Sequence, residues 1–322
     1  MVCRWHPESG NTKRMGDNLK ILVLGSSGFI GSNLVKSLMV QGFDVWGADI
    51  NQPQYVHPHH FLQGDLRDED FCRYLFLGKS YDRVYQLAAD MGGAGFIFTG
   101  DNDAEVMHNS AMINLNVAKF ATESGVKQLF YSSSVCAYSI EQVAQKIKEE
   151  DIYPANPDSN YGWEKIFSER VYEAFHKNKG LDIRIARFNN CFGPYSTWDG
   201  GREKSPAAIC RKALTQDPIE IWGNGQQVRE FIYIDDLLDA IELIMQNPYT
   251  GPINIGPDDS YTIDEMVRMV SDREIKHIDG PVGLQVRLTD NTKIKSLGWS
   301  PKVSVKEGMN NLKQWINSQI NA

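Results

Sequence analysis

Apolar positions follow two alternating patterns through the first half of the chain. Short, wholly apolar runs such as LKILVLG (Leu19 to Gly25) have the signature of strands buried on both faces of a parallel sheet. Between them lie longer stretches with apolar residues three and four apart. The first, SSGFIGSNLVKSLMVQG, predicts a helix whose inner face carries Ile30, Leu34, Leu38 and Val40. FDVWGAD, HHFLQGDLRD, DRVYQLAAD and VKQLFYSSS read as the second to fifth strands, and AEVMHNSAMINLNVAKFATESG as a long helix between the last two. This alternation predicts an α/β fold, a Rossmann-type doubly wound parallel sheet with its ligand crevice at the C-terminal ends of the strands.

Beyond LDIRIARFNNCFGP the alternation loosens. GREKSPAAICRKALTQ, YTIDEMVRMVSD and VSVKEGMNNLKQWINSQI read as helices, and PIEIWGNGQQVREFIYIDDLLDAIELIMQN as strand, turn, strand and helix. The expected organisation is a loose extension over 1–18 and a nucleotide-binding domain over 19–188, joined by part of 229–256. A smaller C-terminal α/β substrate-binding lobe takes 189–228 and 257–322.

Charge and cysteine usage narrow the class. A formal net charge of −8 argues against nucleic acid as a partner. No run is long enough to span a bilayer, and the polar start has no apolar leader segment. The Cys count, 5, is odd, and no pair has metal-ligand spacing; the pattern predicts reduced thiols in a cytoplasmic protein with no metal.

Candidate chemistry begins at the first strand. Gly25, Gly28 and Gly31 follow it as G-x-x-G-x-x-G, with Phe29 and Ile30 opening the helix; bare backbone and a helix N-terminus suit a pyrophosphate. Asp49, ending the second strand, would hold a ribose 2′-hydroxyl and repel a 2′-phosphate, which favours NAD. Asp65, followed by Leu66, either meets the adenine amino group or caps the next helix. In YGWEK, Tyr161 and Lys165 share a helix face, where an ammonium would stabilise a phenolate and lower its pKa, so that Tyr161 takes a proton from an alcohol as hydride leaves for NAD. Were the fifth strand to continue through YSSSVCAY, Ser134 and Cys136 would face the same side.

Together, GSSGFIG, QLAAD, YSSS and YGWEK resemble the extended short-chain dehydrogenase/reductase (NAD-dependent epimerase/dehydratase) superfamily, whose members act on nucleotide sugars. AADMGGAGFI, SSVCAY and GPYSTWDGGREKSPAA resemble more narrowly its GDP-mannose 3,5-epimerase branch. That resemblance implies conversion of GDP-D-mannose, and related GDP-hexoses, to GDP-L-galactose and GDP-L-gulose through transient oxidation at C4 by bound NAD. It implies Cys136 and Lys204 as the acid–base pair, with Tyr161, Lys165 and Ser134 at the oxidised hydroxyl. It places Gly92, Asn190, Glu203 and Gln227 around the substrate and Lys212, Arg229 and Arg287 at the diphosphate. Asn189 stands where the plant members carry a histidine. A homodimer through the helices of AEVMHNSAMINLNVAKF and EKIFSERVYEAF is implied as well.

Other chemistries on the same scaffold make different demands. A 4-epimerase, 4,6-dehydratase or decarboxylase would use the glycine loop and YGWEK without needing Cys136 and Lys204, and a dehydratase would want an acidic pair that SSVCAY lacks. A non-catalytic NAD sensor would be expected to lose Tyr161 or Lys165.

Overall fold

The structure, a computed structural model, describes residues 19–141 and 146–322, so the predicted 1–18 extension lies outside the described residues. The first part runs β1 (Lys20–Leu24), α1 (Phe29–Val40), β2 (Asp44–Asp49), β3 (His60–Gln63), α2 (Glu69–Phe76), β4 (Arg83–Gln86), α3 (Ala94–Ile97), α4 (Asp103–Glu123), β5 (Gln128–Ser134), α5 (Asn160–Lys179) and β6 (Ile183–Phe188). The second part runs β7 (Asn190–Phe192), α6 (Ser205–Thr215), β8 (Ile219–Trp222), β9 (Val228–Tyr233), α7 (Ile234–Gln246), β10 (Pro252–Ile255), β11 (Ser260–Thr262), α8 (Ile263–Arg268), β12 (Ile275–Ile278), β13 (Val286–Arg287), α9 (Thr292–Ser296) and α10 (Val305–Ile320).

Seven strands form one parallel sheet in the order β10-β6-β5-β4-β1-β2-β3. β1 is an inner strand: Leu22 aligns with Trp46 on one side and Val84 on the other, and Ile21 to Leu24 are fully buried. Such strands must be apolar throughout because helices cover both faces. α1 and α7 pack together on one face, and α2, α4 and α5 pack in succession on the other. The α4–α5 contact is knitted by Asn114 Nδ2, which donates to Glu164 Oε1 and Ser168 Oγ at 3.0 Å each.

One residue of the predicted α1 face is misplaced. Gly31, Leu34, Val35 and Leu38 are buried, whereas Val40 is 79% exposed. Val40 lies two residues past Leu38, about 200° round the helix, and so points away from the sheet.

The second lobe is organised around β9, which pairs in parallel with β7 and β13 and antiparallel with β11. β8, though next in sequence to β9, pairs instead with β12. After β9 the chain returns through α7 to β10 at the edge of the large sheet. The stretch read as a single helix in YTIDEMVRMVSD is a strand and a short helix, because Thr262 forms a capping box with Glu265 at the junction. Buried side chains from β1, β6, β9, α6 and α10 form one continuous core, so the lobes share their interior.

Candidate active site

The parallel sheet sends β1, β2, β3, β4 and β5 to end on one side of the molecule, and the loops leaving those ends carry the predicted chemistry. After β1, Gly25 adopts φ +76°, a left-handed conformation open to glycine, while its N–H donates to Ala48 O at 2.9 Å. Gly28 caps α1 with no side chain on the helix amides, so the N–H groups of the first turn are not covered from within the loop. A Cβ on Gly31 would stand 2.0 Å from Gly25 O, so α1 crosses the loop at backbone contact. At the end of β2, Asp49 accepts from Ser27 N at 3.0 Å and Asn51 N at 2.9 Å. Burial pushes its carboxyl up, and those backbone donors oppose the shift.

Asp65 does not cap the following helix. Asp68 does, accepting from Asp70 N and Phe71 N, because it stands at the N-cap position and Asp65 lies too far upstream. Asp65 instead pairs with Arg67, which holds its carboxyl below the usual range. Leu66 is buried beneath α2, and its carbonyl accepts from Asn116 Nδ2 at 2.9 Å.

β5 stops at Ser134, and Cys136 sits in one turn of 3-10 helix rather than on a continued strand. The reason is local: Ser134 Oγ accepts from Cys136 N at 3.1 Å and turns the chain. α5 begins beside this turn, capped by Ser159, which accepts from Gly162 N. A Cβ on Gly162 would meet Cys136 O at 2.2 Å, so this glycine inside YGWEK brings Tyr161 against the thiol turn. Ser134 lies close enough to the Tyr161 hydroxyl to favour its ionised form. Lys165 lies with its Nζ 5.4 Å from the centroid of the Tyr161 ring and donates to Tyr131 Oη at 3.3 Å and Ser132 O at 3.1 Å.

The expected acidification of Tyr161 is not what the geometry produces. Burial pushes its hydroxyl well up, with the charges of Cys136 and Glu164 adding to the shift, and the ammonium lies over the ring instead of at the oxygen. Burial also pushes Lys165 down, opposed by Glu164, whose Oε2 is 3.8 Å from Nζ.

A cavity of about 410 Å³ opens between these groups and the second lobe. Ile30, Ser134, Cys136, Tyr161 and Lys165 line it from the first lobe, and Asn190, Lys204, Gln227, Arg229 and Arg287 from the second. Gly92, Glu203 and Lys212 also line it, whereas Gly25, Gly28, Phe29, Gly31, Asp49, Asp65 and Leu66 stand outside its lining. Lys204 immediately precedes α6, and the charges of both Lys204 and Cys136 act on Lys165. Gly93, not anticipated from sequence, makes the seam between lobes: its N–H donates to Arg202 O at 3.0 Å, and a Cβ there would meet Glu203 O at 2.1 Å.

Several predicted ligand contacts are already partnered. Glu203 accepts from Gly201 N at 2.7 Å and Arg211 Nη2 at 2.9 Å, which braces the loop carrying Lys204. Lys212 Nζ donates to Glu220 O at 2.6 Å. Arg229 donates to Val228 O and Leu284 O, and burial, with Arg287 close by, pulls its guanidinium down to about 10. Arg287 donates to Cys136 Sγ at 3.1 Å and to Asp158 Oδ2 at 2.8 Å. Burial opposes the Arg287 charge, but Cys136 and Asp158 more than offset it. Both polar atoms of the Gln227 amide, by contrast, are buried with no partner among the described residues. Trp222, also missed from sequence, is 40% exposed on the cavity wall, its ring packed close to Gly95 and Gly280. The other described cysteines, Cys72, Cys191 and Cys210, are buried and free, and burial raises all three thiols. Among the described residues no cluster could hold a metal ion and no helix is long and apolar enough to cross a membrane.

The family model for the NAD dependent epimerase/dehydratase family matches residues 21–256. The chain belongs to that family. Among curated relatives, GDP-mannose 3,5-epimerase 1 of Oryza sativa subsp. indica is 39% identical over 94% of this chain and 83% of its own length. The GDP-mannose 3,5-epimerase of Arabidopsis thaliana is 39% identical over 94% of this chain and 84% of its own. Among solved structures, the UDP-glucose 4-epimerase of Thermotoga maritima with UDP-glucose superposes with a TM-score of 0.86 at 26% identity, covering 94% of this chain and all of that one.

NAD is the cofactor of this epimerase/dehydratase chain, and the residues present fit it. The left-handed Gly25, the uncapped start of α1 and the backbone contact at Gly31 leave a bare cradle that a Cβ would fill. The Asp49 carboxylate at the next strand end suits a ribose diol.

Proposed function

We propose that the chain is a GDP-mannose 3,5-epimerase, which converts GDP-D-mannose to GDP-L-galactose and GDP-L-gulose. The observation that carries this reading is that Cys136 and Lys204 line one cavity with Tyr161 and Lys165, one contributed by each lobe. Identity of 39% to two plant enzymes of that name supports it.

Gly25, Gly28, Phe29, Ile30 and Gly31 hold the cofactor pyrophosphate, Asp49 the adenosine ribose, and Asp65 with Leu66 the adenine edge. When bound, NAD supplies the oxidant for C4 of the hexose and the reductant that restores it, so the sugar is a 4-ketone while its other centres invert. Tyr161, beside Ser134, exchanges the proton of the C4 hydroxyl, and the Lys165 ammonium beneath its ring favours the anionic form once a ligand seats there. A carbonyl at C4 acidifies the C–H bonds at C3 and C5 by delocalising charge into an enolate. Cys136 and Lys204 approach from opposite lobes, so one removes a proton and the other returns one to the opposite face. Arg287 fixes the sulfur through its hydrogen bond. The partnerless Gln227 amide, Gly92, Glu203 and Asn190 surround the sugar nucleotide, and the cluster of Lys212, Arg229 and Arg287 supplies cations for its diphosphate.

The same reading includes a homodimer. Leu115 of α4 and Trp163 and Phe167 of α5 are exposed on the outer side of that helix pair, an apolar surface suited to a second copy. It also places the protein in the cytoplasm, where free thiols stay reduced.

Incubation with GDP-mannose in deuterated water, with no NAD added, tests the reaction. Deuterium at both C3 and C5 of the hexose, seen by NMR, is expected; turnover of another sugar nucleotide with exchange at neither carbon overturns the proposal.

A further inference from the structure

Behind the sugar cavity lies a buried polar chain that the acid–base chemistry does not use. Glu230, in the middle of β9, has no exposed surface, and Thr289, two residues past β13, has none either. Glu230 Oε2 accepts from Thr289 N at 3.0 Å and from Thr289 Oγ1 at 2.7 Å. Thr289 Oγ1 in turn accepts from Asn189 Nδ2 at 2.7 Å. Asn189 is 4% exposed, lines the substrate cavity, and has a buried carbonyl Oδ1 with no partner among the described residues.

Hydrogen counting fixes the direction of this chain. A threonine hydroxyl has one proton, and both side-chain oxygens near Thr289 Oγ1, on Glu230 and Asn291, are acceptors. The proton is therefore committed away from Asn189, and Thr289 meets Asn189 only as an acceptor. Asn189 must present its NH2 end to Thr289, and that nitrogen fits because residue 256 is glycine: a Cβ there would lie 2.1 Å from Nδ2. With its nitrogen committed to Thr289, Asn189 keeps its carbonyl as the free end, and Glu230 Oε1 likewise has no partner among the described residues. The main chain of Glu230 also holds the neighbouring amide, since its carbonyl accepts from Asn190 Nδ2 at 3.0 Å.

We propose that Glu230 and Thr289 are positioning residues that lock the Asn189 amide with its carbonyl toward the cavity, where it accepts a hydrogen bond from a hydroxyl of the bound hexose. The naming of a hexose rests on the function proposed above; the locked amide rests on the geometry alone. A histidine at this position would turn toward Thr289 by donating a ring N–H, whereas asparagine leaves a pure acceptor facing the ligand. The site thus selects for a donor hydroxyl, and an unpartnered buried carbonyl penalises a ligand that lacks it.

Calorimetric titration of the NAD-loaded enzyme with GDP-mannose and, separately, with GDP tests the inference. Asn189→Ala and Thr289→Val are each expected to weaken GDP-mannose by roughly five- to tenfold, with GDP unchanged. The double variant is expected to be no weaker than Asn189→Ala alone, because Thr289 acts through Asn189. Thr289→Ser, which keeps the hydroxyl, restores wild-type affinity. Thr289→Ala provides the same readout should Thr289→Val fail to fold, with loss of GDP-mannose selectivity expected. Losses that add in the double variant, or equal weakening of GDP, overturn the positioning role while the exchange reaction of the wild type stands. Wild-type enzyme that takes up no deuterium from GDP-mannose overturns the epimerase reading, and binding of GDP-mannose no tighter than GDP overturns the hexose contact.

Discussion

The cofactor half of the site is made of backbone, and the substrate half of side chains. The first is one contiguous loop, Gly25 to Gly31, whose fit comes from missing Cβ atoms and free helix amides. The second gathers groups from distant parts of the chain: Cys136 meets Arg287 across 151 residues, and Glu230 meets Thr289 across 59. A backbone cradle fails through added bulk. A convergent side-chain site fails when any partner is lost, since each group is tied to another: Arg287 to the thiol and Asp158, Glu203 to Arg211, Asn189 to Thr289.

The sharpest way to separate the halves is to remove the acid–base pair. Cys136→Ala or Lys204→Ala is expected to lower C3 and C5 exchange by roughly 10²- to 10⁴-fold. NAD content, measured on the purified protein, should not change. Loss of NAD in either variant would show that the halves are not independent.

Glu230 gives the next largest effect. Burial raises its carboxyl to about 7, only partly opposed by its bonds to Thr289. The folded chain thus holds this proton more tightly than the unfolded chain, so its ionisation destabilises the fold increasingly as pH rises from the ordinary carboxylate range through about 7. The full penalty, about 3 kcal/mol, is present above that value and absent in acid. Glu230→Gln should therefore gain stability over wild type at pH 8 but little at pH 5, in urea titrations at both. An equal difference at the two pH values would contradict the buried-carboxylate account.

Gly31→Ala probes the backbone half. Its methyl must displace Gly25 O, so a destabilisation of about 2 kcal/mol is expected, with NAD lost from the purified protein. GDP binding, which uses the other half, should survive. The smallest effect on chemistry belongs to Phe167→Glu on the exposed face of α5. It should split the proposed dimer in light scattering, shift stability by about 0.5 kcal/mol or less, and leave exchange per subunit unchanged. A wild-type protein that already runs as a monomer removes that part of the proposal.

How much could be read beforehand divides along the same line. The places of the glycine loop, Asp49 and the Tyr161–Lys165 pair in the fold were legible because local spacing specifies them, and β1 was legible because a strand covered on both faces has to be apolar. Val40 was misread because it continues the apolar run of its helix beyond the buried face. Cys136 was placed on a strand because a serine that turns the chain looks, in sequence, like one that extends it. The Tyr161 shift depends on burial and on where the ammonium sits over the ring, and neither follows from a spacing of four. Gly162 and Gly93 left only the trace of a glycine in an otherwise ordinary run. The Glu230–Thr289–Asn189 chain left no local trace at all, being formed where β7 and β13 both pair with β9.

The seam at Gly93 bears on timing. A sugar that must undergo several consecutive events before leaving needs an exit slower than all of them, or it escapes half-transformed. At Gly93 the loop after β4 meets the loop that carries Lys204 through one main-chain bond to Arg202 and a contact so close that a methyl group would part them. Gly93→Ala should part these two loops, and keto sugar appearing in solution during turnover would be the sign that this contact retains the intermediate.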